Sequence, residues 1–116
     1  MRRFWLRGAL LTGLLALALA CTSPTLPLPP PATPVISVGS APDTFKLASI
    51  QGAEPNALIV VVNRDEALPK DKRVTGTIAD AVGSWDVTVN AKLGDVLDVS
   101  QESGTARSGS TTVTVR

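Results

Sequence analysis

The sequence contains no histidine and no tyrosine, and beyond residue 20 its only aromatic side chains are Phe45 and Trp85. Without histidine, the usual base for a serine or cysteine nucleophile is missing, and no Ser-x-x-Lys spacing replaces it. Two carboxylates could serve a glycosidase, but a small domain with few aromatics has little room for the necessary cleft. We therefore expect neither an enzyme nor a cofactor site.

The chain also lacks a basic surface once its first twenty residues are set aside. Of the 11 Lys and Arg residues, Arg2, Arg3 and Arg7 lie in that stretch, which leaves eight basic residues against 10 Asp and Glu. Proteins that bind nucleic acid need clustered positive charge to neutralise phosphates. We expect no nucleic-acid partner.

Residues 1–20 have the layout of a bacterial secretory signal peptide. A charged start, MRRFWLR, precedes the apolar run GALLTGLLALALA, which ends in small residues. The run is too short for a spanning helix, which needs about twenty apolar residues. We expect a signal helix that is removed by cleavage.

The only cysteine of the chain, Cys21, follows this run directly, after Ala18, Leu19 and Ala20. This order resembles the lipobox of bacterial lipoproteins. The resemblance implies cleavage between Ala20 and Cys21, an S-diacylglycerol thioether on Cys21 and an N-acylated new amino terminus. Two or three acyl chains exceed the one-chain limit at which membrane binding stays reversible. An odd free cysteine is, moreover, uncommon in secreted proteins.

A soluble product remains the alternative at this position. Ala18 stands where the lipobox most often has leucine, and Ala18-Leu19-Ala20 also fits the A-x-A pattern of ordinary signal peptidase. That cleavage would release a protein with a free Cys21. If the protein is acylated, Thr22 in place of an aspartate favours the outer membrane, on either its periplasmic or its exterior face.

Residues 21–34 are predicted to form a proline-rich linker. Nearly half of the residues from Thr22 to Pro34 are proline, which removes amide donors and favours extended backbone. In polyproline geometry these thirteen residues would reach about 40 Å. We expect a semi-rigid spacer that lifts the following domain from the lipid.

Residues 35–116 are predicted to form an all-β sandwich of six or seven strands. Short runs rich in Val, Ile and Thr alternate with turn residues. Those runs are VISVGS, TFKLASI, ALIVVVN, RVTGTIA, SWDVTVN, DVLDVSQ and STTVTVR. Alternation places Trp85, Val87 and Val89 on an inward face. Leu58 to Val62, apolar on both faces, is predicted to be a central strand covered from two sides.

Three segments of this region together resemble the bacterial Ig-like domains of secreted and surface proteins. They are GAEPNALIVVVN, VTGTIADAVGSWDVTVNAKLGDVLDVSQ and GTARSGSTTVTVR. The resemblance implies a non-catalytic β-sandwich that serves as a spacer, stalk or adhesion module, with an envelope protein or a glycan as candidate partner. The alternative function is a soluble periplasmic protein that binds a carbohydrate or a peptide along a sheet edge.

The carboxylates supply the candidate ligands for a metal, and calcium would be the ion that suits them. They are Asp65, Glu66, Asp71, Asp80, Asp95 and Asp98. No calcium-loop spacing matches, and aspartate is a common turn residue, so we favour solvated loop charges and commit to no metal site. The basic residues Lys70, Lys72 and Arg73 surround Asp71 and favour a polar hairpin tip.

Overall fold

Residues 27–116 are described by a computed structural model, in which they form two antiparallel sheets with almost no helix. The strands in chain order are β1 Val35–Val38, β2 Thr44–Ser49, β3 Leu58–Asn63, β4 Val74–Ile78, β5 Trp85–Asn90, β6 Val96–Ser103, β7 Ala106–Arg107 and β8 Thr111–Thr114. One turn of helix, α1 Lys70–Arg73, lies between β3 and β4. The expected all-β class is confirmed.

The chain crosses between the two sheets after β2, after β4 and after β5. The first sheet has the order β1-β2-β5, and the second has the order β4-β3-β6. The far side of β6 pairs with β8 along Val96–Val99 and with β7 along Glu102–Ser103. Side chains from both sheets contribute to one apolar core.

The alternation predicted from the sequence matches the observed burial. Trp85, Val89, Leu97, Val99, Val113 and Val115 are buried, and Val87 is half-buried. Leu47 from the first sheet and Ile59 from the second are completely buried. Trp85 is 5 % exposed, so its predicted place in the core is confirmed.

The described part of the chain has eight strands, so the expected number of six or seven is not confirmed. The additional strand is β7, which a tight turn at Gly104 and Thr105 folds back onto the end of β6. Gly104 has a φ of 60°, and glycine at the first position of a two-residue loop suits the turns that hairpins favour. A two-residue strand carries no alternation for a sequence pattern to detect.

Strand β3 is central, but the expectation that both of its faces are covered is wrong. Ile59 and Val61 are buried towards the core, whereas Leu58 is 37 % exposed and Val60 and Val62 are half-buried. Continuous apolar sequence is typical of a strand between two layers. Here the outward side chains instead form an apolar surface.

The connection between β3 and β4 contains the helical turn α1. The sequence, by contrast, predicts a polar hairpin tip at these residues. The amides of Lys72 and Arg73 donate to the Pro69 carbonyl, which closes one helical turn. Val74 then takes extended geometry and starts β4. In the turn at 79–83 between β4 and β5, Asp80 Oδ1 accepts hydrogen bonds from the amides of Val82 and Ser84.

We predict that Leu97→Ala lowers the free energy of unfolding by about 2–5 kcal/mol, because it leaves a cavity among completely buried neighbours. Leu93→Ala is the matched control, since Leu93 is 73 % exposed, and it should change stability by less than about 0.5 kcal/mol. Urea unfolding followed by Trp fluorescence measures both. Equal effects of the two substitutions would contradict the assigned core.

Candidate functional site

The predicted lipidation and cleavage site lies outside the described residues. This concerns Ala20 and Cys21, together with the signal segment 1–20 and the first residues of the linker. Within residues 27–116, no helix has the length and apolar character needed to cross a bilayer.

The second half of the proline-rich linker, residues 27–34, lies against the two-sheet body and is called the proline segment below. Leu28 forms a parallel bridge with Ser108, and its amide donates to the Arg107 carbonyl at 3.2 Å. The Ala32 amide donates to the Gly52 carbonyl at 2.8 Å. Pro31 and Pro34 are buried, and the Pro31 carbonyl accepts a bond from the Thr111 hydroxyl. This part of the linker therefore packs on the body and does not extend away from it, contrary to the expected free spacer.

Gln101 holds the proline segment from inside the body. Its side chain is 2 % exposed, on the same inward face of β6 as Leu97 and Val99. Its Nε2 donates to the Pro29 carbonyl at 2.8 Å, and its Oε1 accepts from the Glu54 amide at 2.7 Å. One buried amide thus joins β6, the loop after β2 and the incoming chain. In the sequence, the only sign of this role is that Gln101 is a polar residue at a position where the alternation of β6 predicts an inward side chain.

Asn63 is the second buried polar side chain, and it explains the position of Asp95. Asn63 Nδ2 donates to the Asn90 carbonyl at 3.0 Å and to Asp95 Oδ2 at 2.9 Å, while its Oδ1 accepts from the Asp65 amide. The same Asp95 oxygen accepts from the Lys92 amide at 2.9 Å. These bonds tie the ends of β3 and β5, which belong to different sheets, to the turn before β6. Asp95 therefore fixes a turn.

Asp98, the neighbouring candidate ligand, forms a bidentate ion pair with Arg64 on the outer face of the second sheet. Arg64 Nε donates to Asp98 Oδ2 at 2.7 Å, and Arg64 Nη2 donates to Oδ1 at 2.9 Å. The Thr112 hydroxyl donates to the same Oδ1 at 3.0 Å. Hydrogen bonding from Arg64, followed by that from Thr112, holds the pKa of Asp98 below its ordinary value, although partial desolvation opposes this. Both oxygens of Asp98 thus already have donors.

The remaining candidate carboxylates do not converge with these two. Asp65 Oδ1 accepts from the Ala67 amide, and Asp80 shapes the β4 to β5 turn. Asp71 lies on α1, and Glu66 lies in the loop before it. Throughout residues 27–116, no three acidic or thiol side chains gather into a group that could hold a metal ion.

Trp85 borders a shallow depression that opens to solvent near the ends of β2, β4 and β5. The depression has a volume of about 390 Å³, and Ile50, Ile78, Asp80 and Ser84 also line it. The buried Trp85 Nε1 has no hydrogen-bond partner within residues 27–116. An open depression with mixed polar and apolar walls does not enclose a substrate as a catalytic cleft does.

The outer face of the second sheet carries an apolar surface that ends at a free strand edge. Leu58, Val60 and Val62 of β3 face outward beside Val74 and Ile78 of β4 in the paired register. Val74 is 53 % exposed and Ile78 is 63 % exposed. Strand β4 is the last strand of its sheet and contains no charged residue and no proline. A charged residue or a proline is one of the devices by which natural edge strands avoid pairing with another chain.

No family model, no curated protein and no solved structure matches this chain.

We predict that Asp98→Asn lowers stability at pH 7, since the ion pair with Arg64 is lost while the shape of the side chain is kept. A carboxyl whose pKa is depressed by folding stabilises the protein above its ordinary pKa of 3.8 and loses that contribution as the pH falls through the folded value. The difference between the variant and the wild type should therefore be full at pH 7 and should vanish in strong acid.

Urea unfolding of both proteins at several pH values measures this difference. Asp86→Asn is the matched control, because Asp86 contacts Lys46 at 3.5 Å with both side chains largely exposed, and such pairs contribute little. A difference for Asp98→Asn that is the same at all pH values would show that the carboxylate charge is not its source.

Proposed function

We propose that this protein is a lipid-anchored lipoprotein of the bacterial envelope, and that its Ig-like β-sandwich acts by contact and placement without catalysis. The observation that carries the proposal is the single cysteine, Cys21, directly after Ala20 at the end of an apolar run. The Ig-like assignment is supported by the order of the quoted sequence elements and is compatible with two antiparallel sheets around one core.

The proposal of a non-catalytic body is supported by the structural hydrogen bonds that its polar side chains make. Gln101 and Asn63 bond to backbone and to turn residues. Asp95 accepts a hydrogen bond from Asn63, and Asp98 accepts hydrogen bonds from Arg64 and Thr112. Since these four side chains already have partners, none of them is a free acid or base.

An anchor at Cys21 would keep the body close to the lipid. Six residue steps separate Cys21 from Pro27, where the described part begins, and a fully extended chain covers at most about 3.6 Å per residue. The distance is then limited to roughly 20 Å, about half the expected reach of a free linker. We propose a body that works near the membrane surface, with an envelope protein or a glycan as its candidate partner.

The alternative is a soluble periplasmic protein that binds a carbohydrate or a peptide. Two observations favour it: the Ala18-Leu19-Ala20 pattern of ordinary cleavage, and the free edge of β4, to which an extended peptide could add. The fate of Cys21 separates the two proposals.

We predict that the mature protein begins at Cys21, carries several hundred daltons of acyl mass, and partitions into the detergent phase of a bacterial membrane extract. Cys21→Ser should abolish both properties, because it removes the sulfur that accepts the diacylglycerol. Ser23→Ala is the control and should keep both. A mature wild-type protein with a free Cys21 thiol in the aqueous phase would favour the soluble alternative.

A further inference from the structure

We infer that the protein forms a two-fold symmetric dimer in which β4 of one copy pairs antiparallel with β4 of a second copy. The inference names a partner for the free edge of β4 described above, and it does not depend on acylation of Cys21. It rests on the sequence of the edge strand, the faces of its side chains and the charges at its two ends.

The sequence of β4, Val-Thr-Gly-Thr-Ile, reads nearly the same in both directions. Antiparallel pairing centred on Gly76 places Val74 opposite Ile78 of the second copy and Thr75 opposite its Thr77. Directly opposed residues of paired strands lie on the same face of a sheet. Apolar residues therefore meet on the outer face and threonines meet on the inner face, so the strand is complementary to itself.

The exposure of the side chains fits this register. The outward residues Val74 and Ile78 are more than half exposed, whereas the inward Thr75 and Thr77 are half-buried. Pairing would bring Val74 of each copy into lateral contact with Ile78 of the other and join the two outer faces into one continuous apolar surface. The unused backbone N–H and C=O groups of an edge strand would gain partners at the same time.

The charges at the two ends of β4 are opposite in sign. Lys70, Lys72 and Arg73 precede the strand on α1 and outnumber the one acidic residue there, Asp71, whereas Asp80 follows the strand. In an antiparallel pair, the basic end of each copy meets the acidic end of the other. Because the pairing is two-fold, this attraction occurs twice and the assembly closes at two copies.

The other outer strands suit such pairing less well. Strand β1 has four residues and follows Pro34 directly, and β5 carries Asp86. The β6 side of the second sheet is bordered by the proline segment through Leu28. Proline and charge are the devices that keep edges from pairing, and β4 has neither.

A pair of five-residue strands forms a small interface, below the roughly 1,000 Å² of a stable complex, so we expect the dimer to dissociate on dilution. Sedimentation velocity of the full chain carrying Cys21→Ser should show a concentration-dependent shift from the monomer mass to twice that mass. A chain that stays monomeric up to roughly 1 mM would overturn the inference.

Cross-linking tests the register. Gly76→Cys places one thiol at the two-fold axis, where opposed Cα atoms lie about 4.5–5.5 Å apart, within the range of a disulfide. A Cβ fits at Gly76, with its nearest neighbours 3.6 and 3.7 Å away. In the Cys21→Ser background, mild oxidation should give a disulfide-linked dimer. The matched control, Val38→Cys, lies exposed on β1, at the edge of the first sheet opposite to β5, and should remain monomeric.

A second substitution separates pairing from random collision. Val74→Lys in the Gly76→Cys chain places a charge opposite Ile78 of the partner copy and should abolish the dimer band. Val35→Lys, at a valine that is 73 % exposed on β1, should leave it unchanged. Equal cross-linking at positions 76 and 38, or no loss with Val74→Lys, would overturn the inference. Because Cys21 is absent from these chains, neither result bears on the lipid anchor.

Discussion

The hydrogen bonds of the Gln101 side chain determine where the chain joins the two-sheet body. A buried amide without partners would destabilise the core, and Gln101 finds its partners only if Pro29 and the loop at Glu54 are both in place. The core and the incoming chain are therefore coupled through one side chain. As a result, the prolines act as a part of the body and not only as a tether.

This coupling gives the two sides of the second sheet different properties. Beside β6, the proline segment occupies the region next to β7 and β8 and offers few amide donors to another chain. On the opposite side, β4 keeps an apolar, uncharged edge. A body with one protected and one free side can join a second copy without growing into a fibre. An anchor near the protected side would hold two such copies at the same surface and raise their effective concentration.

Local alternation in the sequence predicted the longer strands, the inward face of β5 and the burial of Trp85, because the pattern that signals them lies in neighbouring residues. The features missed at the candidate site depend on contacts between residues far apart in the sequence. Asp98 looks like a free ligand until Arg64, 34 positions earlier, meets it across paired strands. The proline segment likewise looks like a spacer until Gln101, 72 positions after Pro29, bonds to it.

Hydrogen exchange at the amides of Leu28 and Ala32 in the full chain tests most directly whether the proline segment belongs to the folded body. Both amides donate to backbone carbonyls of the body, at Arg107 and Gly52. We predict that they exchange far more slowly than amides of a free peptide, since exchange requires local opening. Exchange at the free-peptide rate, with the β6 amides still protected, would contradict the account.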